Sequence, residues 1–292
     1  MGKVKEDRLE RFRKHCPADA SISISHVKLE NGAELEDVVI TPASVKYDLP
    51  VLFLPGLASV IETFSDVVYH LSEGHIVHYV ETREKASAVL PPKAGFTVRD
   101  MAADIAGVIK AIEFEDGKYI LVSYSLSATI SIELFSSGLE KKPALLVLIQ
   151  PAAEFRMPWF TRPLARYFYP LFPVIKPLLK LYMRKSMVDT DKDHEMYMIS
   201  SRSLDATHPR RVAKTLLAMQ GYSVNEATKK IDVSVLVIGA SNDTFHSHDD
   251  AVDIAKLIEK SSHIDLVTNT RSHSREVCDL IHEYLKSDVI AS

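Results

Sequence analysis

Residues 119–130 read Tyr-Ile-Leu-Val-Ser-Tyr-Ser-Leu-Ser-Ala-Thr-Ile. The opening YILV is apolar without interruption, as in a strand buried on both faces. From Leu126 to about residue 138 the spacing is helical, and between the two Ser123, Ser125 and Ser127 alternate across a tight turn. A strand entering a helix through small residues is one unit of a parallel sheet whose crossovers are helices.

More such units lie on either side. Apolar runs recur at 51–54 (VLFL), 76–80 (IVHYV), 144–149 (ALLVLI), 233–238 (VSVLVI) and 264–268 (IDLVT). Helix-period stretches at roughly 60–73, 98–114, 247–260 and 274–286 separate them. Ahead of these, a short charged helix precedes alternating residues 21–28. Asn31-Gly32 then makes a turn toward Val38-Val39-Ile40, the pattern of a β-hairpin. The expected fold is α/β: a mostly parallel, doubly wound sheet with an N-terminal hairpin on one edge. About 80 residues separate the fourth and fifth parallel strands, far more than one crossover helix needs. Residues 152–230 are therefore expected to form a helical cap inserted between core segments 1–151 and 231–292.

Bulk properties bound the function. The 292 residues are 46% hydrophobic and 25% charged, with net charge −4, which gives no whole-chain attraction to nucleic acid. Cys16 and Cys278 form no CxxC pair; a reducing compartment is the simpler reading, with a single bridge as the alternative. The start, MGKVKEDRLERFRKHC, lacks the apolar segment of a secretory signal, and Glu6 breaks the myristoylation pattern. No apolar run approaches the roughly 18 residues of a membrane span, so a cytoplasmic protein is expected. No cluster has metal-ligand spacing, and the glycines suit neither a P-loop nor a dinucleotide fingerprint. No cofactor is expected.

Ser125 is the candidate nucleophile. The usual elbow is G-x-S-x-G, because strand and helix must approach closely around a strained serine. Here both flanks are Ser, the next smallest polar choice; the competing reading is that Ser123, Ser125 and Ser127 cap a helix. A serine hydroxyl needs a base, and the base needs an orienting group. Asp243 follows VSVLVI and His273 follows IDLVT, both in loops at the carboxyl edge of the sheet, where ligands gather in open α/β folds. Asp249, Asp250 and Glu154 are the substitutes for the acid. His263 is expected to precede its strand and His282 to lie in the last helix, so neither suits the base.

From about Pro50 onward, with the order Ser125, Asp243, His273, the chain resembles the α/β-hydrolase superfamily. Leu54-Pro55-Gly56-Leu57 stands where that family ends a strand in HG or PG. By resemblance, the amides of Leu57 and Leu126 form an oxyanion hole. Glu81-Thr82-Arg83-Glu84-Lys85-Ala86-Ser87 is similar to the family's D-x-R-G-x-G-S without its glycines, and Asp104 stands where members carry a structural aspartate. Relatives that open epoxides or displace halide carry a carboxylate in the elbow, which Ser125 argues against.

Residues 156–185 hold seven Lys or Arg, no Asp or Glu, and five prolines among bulky apolar residues. Phe160, Phe168 and Phe172 are the candidate acyl contacts. Arg156, Arg162, Arg166, Lys176, Lys180, Arg184 and Lys185 fit either peripheral contact with a membrane or lipid, or simply the solvated rim of a cap. Three functions follow: hydrolysis of a carboxylic ester or thioester with an apolar acyl part, acyl transfer on the same triad, or a silent ligand-binding relative. Oligomeric state is not legible.

Overall fold

The computed structural model describes residues 2–155, 171–187, 191–243 and 248–287. Eight strands form its sheet: β1 (Ser21–Lys28), β2 (Glu34–Thr41), β3 (Val51–Leu54), β4 (Val77–Val80), β5 (Ile120–Tyr124), β6 (Leu145–Ile149), β7 (Val235–Gly239) and β8 (Ser261–Asp265). They lie in the order β1-β2-β4-β3-β5-β6-β7-β8. Pairing is parallel from β4 to β8 and antiparallel across β1, β2 and β4. The hairpin occupies one edge as its alternation indicates, turning through Gly32 at φ 80°.

The helices are α1 (Gly2–Arg13), α2 (Ser65–Leu71), α3 (Val98–Ala111), α4 (Leu126–Ser136), α5 (Phe172–Met187), α6 (Asp191–Ala206), α7 (Pro209–Met219), α8 (Asn225–Thr228), α9 (His248–Leu257) and α10 (Arg275–Lys286). A 3-10 turn, Ile61–Phe64, leads into α2. Helix α3 starts at a reciprocal cap: Asp100 N donates to Thr97 Oγ1 (3.1 Å) and Thr97 N to Asp100 Oδ2 (2.9 Å).

Because side chains alternate along a strand, each central strand feeds two cores. Leu52, Leu121, Leu146 and Val237 face α3 and α4 through Ile105, Val108 and Ile130. Phe53, Val122, Val147 and Ile238 face the opposite layer with Phe12, Val68, Val277 and Ile281. This double burial is why the parallel strands read as unbroken apolar runs.

The last strand corrects one expectation. It spans Ser261–Asp265, pairing Ser261 with Val235 and Asp265 with Gly239, rather than 264–268. An edge strand pairs on one side and is half-exposed, so Ser-Ser-His-Ile-Asp suffices. The apolar residues after it mark the chain's return to the core, where Leu266 is buried. His263 therefore lies within the strand, not before it. Helices α5 to α8 lie between β6 and β7. Among the described residues, no helix is long and apolar enough to cross a membrane.

Candidate active site

Ser125 joins β5 to α4 with φ 51° and ψ −114°. A non-glycine residue outside the allowed regions costs about 1–3 kcal/mol and persists only where its surroundings impose it. Here Ser125 N donates to Ile149 O (2.9 Å), while Ala128 N donates to Ser125 O (3.0 Å). The serines that replace the usual glycines are both buried and both bonded. Ser123 Oγ lies 2.8 Å from Ser131 Oγ, and Ser127 Oγ donates to Pro55 O at 2.6 Å. The elbow thus tolerates two hydroxymethyl groups because each hydroxyl has a built-in partner. Leu126 and Ser127 open α4, and amides at the very start of a helix have no carbonyl one turn back to donate to and can face developing negative charge.

The loop after β3 crosses this turn. A Cβ placed on Gly56 would stand 3.5 Å from Ser125 Cβ and 3.6 Å from Tyr124 O. Ser59 Oγ donates to Gly56 O (2.6 Å), and Lys85 Nζ donates to Gly56 O and Ser59 O, both at 2.8 Å. Three side chains, on α4, on the loop itself and after β4, therefore fix residues 55–59.

On the other side, His273 ends a short 3-10 turn, Arg271–His273. Its Nδ1 lies 2.9 Å from Asn269 O. A carbonyl only accepts, so Nδ1 is the donor here, and a neutral ring in that tautomer keeps its lone pair on Nε2, the atom a general base needs. The ring stacks on Phe64 (centroids 5.4 Å) and lies tilted beside Tyr124 (5.1 Å). Tyr124 OH donates to Ser272 O at 3.0 Å, tying the histidine loop to the residue beside Ser125. Gln150, just past β6 with φ 51°, donates through Nε2 to Asp243 Oδ2 (2.7 Å) and to Asn269 Oδ1 (2.8 Å). One buried amide thus joins the loop after β7 to the loop after β8.

The chain is similar in shape to solved structures. An esterase from Exiguobacterium antarcticum matches with TM-score 0.71 at 16% identity, covering 90% of this chain and 99% of its own. An enol-lactonase from Burkholderia xenovorans LB400 matches with TM-score 0.68 at 17% identity, covering 92% and 100%. This chain has the α/β-hydrolase fold. An esterase from Rhodococcus sp. ECU1013 is similar to it as well, with TM-score 0.70 at 16% identity over 89% and 98%. No family model matches the sequence. No curated protein matches it either.

Within this α/β-hydrolase fold, Arg83 and Asp104 form a buried pair. Nε donates to Oδ2 and Nη2 to Oδ1, both at 2.5 Å, and Nη1 donates to Gly95 O at 2.6 Å. The structural part expected of Asp104 is to anchor the segment after β4. Of the substitute acids, Asp250 accepts from Ala153 N (3.1 Å) and Asp249 is exposed on α9. Glu154 bridges to Ser223 through its backbone. Phe160 and Phe168 lie outside the described residues, as do Arg156, Arg162 and Arg166; Phe172 opens α5 and is partly buried. Cys16 and Cys278 are buried and unbridged, and burial pushes the Cys16 thiol up to about 12. Among the described residues, no group of three or more His, Cys, Asp or Glu could hold a metal ion.

Sequence reasoning missed Gln150, Tyr124, Phe64 and Lys85. Tyr124 was within reach, since it occupies the variable position of the elbow. The other three act across contacts that no spacing in the chain encodes.

Proposed function

We propose that the chain is a serine hydrolase for a carboxylic ester or thioester with an apolar acyl part. Ser125 attacks the carbonyl, His273 Nε2 takes its proton, and Asp243 orients the imidazolium that forms. The amides of Leu57 and Leu126 receive the oxyanion. The tetrahedral species collapses and the ester or thioester bond breaks as His273 gives that proton to the departing alcohol or thiol; His273 then deprotonates a water that attacks the acyl-enzyme, releasing the acid and returning the proton to Ser125. Helices α5 to α8 act as a cap, and Phe160, Phe168 and Phe172 contact the acyl chain. The observation that carries this is the strained backbone of Ser125 at the sheet's carboxyl edge, with φ 51° and ψ −114°. Solved esterases and an enol-lactonase with this fold support ester hydrolysis.

The test is labelling of purified protein with a fluorophosphonate, with the modified peptide read by mass spectrometry. Labelling at Ser125, absent in Ser125→Ala, is expected. A folded wild type that stays unlabelled, beside a control hydrolase that labels, overturns the proposal in favour of a silent ligand-binding protein. Adding alcohol acceptors to the same preparation separates hydrolysis from acyl transfer.

A further inference from the structure

We propose that Lys85 is a positioning residue for the oxyanion site, holding the carbonyls of Gly56 and Ser59 so that the Leu57 amide stays directed at Ser125. This rests on the hydrolase reading above. The segment similar to D-x-R-G-x-G-S loses its glycines here and gains Glu84 and Lys85, both buried. An ammonium taken out of water must recover its hydrogen bonds and its counter-charge. Lys85 Nζ spends its contacts on one loop: Gly56 O and Ser59 O at 2.8 Å, and Ser59 Oγ at 3.4 Å. Among its counter-charges, Glu84 has its Oε1 3.7 Å away, too long for a hydrogen bond, and Glu81 acts from farther off.

The geometry of a peptide unit turns this grip into control of a neighbouring donor. The Gly56 carbonyl and the Leu57 N–H belong to one planar, trans unit, so they point in opposite directions. Lys85 and Ser59 Oγ together hold that carbonyl, the latter at 2.6 Å. They therefore fix the direction of the Leu57 N–H, on a loop where a Cβ added to Gly56 would stand 3.5 Å from Ser125 Cβ. A positive charge on the carbonyl also polarises the peptide and makes its N–H a better donor. The lysine's own backbone is held from the region between β6 and β7. Arg211 Nη1 donates to Lys85 O at 2.6 Å, and Lys85 forms an isolated bridge with Thr207.

The variants are Lys85→Met, which keeps the stem and removes charge and donors, and Glu84→Gln/Lys85→Met, which removes both charges. The readouts are the rate of fluorophosphonate labelling of Ser125, kcat and KM on p-nitrophenyl butyrate, and circular dichroism. The expected result is native dichroism, labelling and kcat down roughly 10- to 100-fold, and KM within about threefold. Lost packing alone would not produce that split. A wild type that labels, with folded variants labelling and turning over within about twofold of it, overturns this inference alone. An unlabelled wild type removes the hydrolase reading and this inference with it. Should both variants fail to fold, the 15N resonance of Lys85 Nζ in the wild type decides: it shifts on phosphonylation of Ser125, or the inference is wrong.

Discussion

Replacing Arg83 by Met tests the scaffold of the segment after β4. Both partners of the Arg83–Asp104 pair are buried, at 4% and 1% exposure. The guanidinium makes two 2.5 Å bonds to the carboxylate and one 2.6 Å bond to Gly95 O, while Asn31 Nδ2 donates to Asp104 Oδ1 at 2.7 Å. Charge-assisted hydrogen bonds contribute about 1.5–3 kcal/mol each, so the two to Asp104 represent roughly 3–6 kcal/mol. Met relieves the desolvation of the guanidinium but leaves a carboxylate buried beside a single amide. The net loss should be about 3–5 kcal/mol. With a urea m-value of about 3 kcal/mol/M, the midpoint falls by roughly 1 M or more. The assay is urea unfolding followed by circular dichroism, with m unchanged. Arg83→Met/Asp104→Leu removes the stranded charge and should recover most of the loss. A single-variant shift below about 0.3 M, or a double variant no more stable than the single, refutes the reasoning.

Three further outcomes follow from named contacts. Burial lowers the pKa of His75 from 6.5 to about 4, with His282 beside it adding to the effect, since the two Nε2 atoms lie 3.0 Å apart. Because the folded value is depressed, this stability is complete above the unfolded pKa and is lost as pH falls from 6.5 toward 4, by up to about 3 kcal/mol; His75→Leu should flatten melting temperature against pH across that window, and an unchanged slope refutes the assignment. Gln150→Leu unties Asp243 from Asn269, so Ser125 labelling should slow about tenfold with little change in dichroism; labelling at the wild-type rate counts against the tether. Phe168→Ala/Phe172→Ala should impair long-chain p-nitrophenyl esters more than acetate, and equal losses on both would remove these residues from the acyl site.

The strands were legible because parallel strands covered on both faces must be apolar at every position, as in VLFL and LLVLI. The same rule misplaced β8 by three residues: an edge strand escapes the requirement, and Leu266 follows it into the core. The elbow was legible because close approach of strand and helix restricts residue size, and that restriction is local. Why Ser123 and Ser127 replace glycine was not, since their partners, Ser131 and Pro55, are set by packing.

Sequence alone therefore determined the fold class and placed Ser125, Asp243 and His273, in that order, in the segments that follow β5, β7 and β8. Those features follow from periodicity and residue size, which act between near neighbours in the chain. Only the tertiary structure decided what holds the site in register. Gln150 spans two loops, Tyr124 reaches 148 residues forward to Ser272, and Lys85 reaches 29 residues back to Gly56. Such contacts arise when the sheet closes and brings distant loops within hydrogen-bonding range, and no pattern along the chain encodes them.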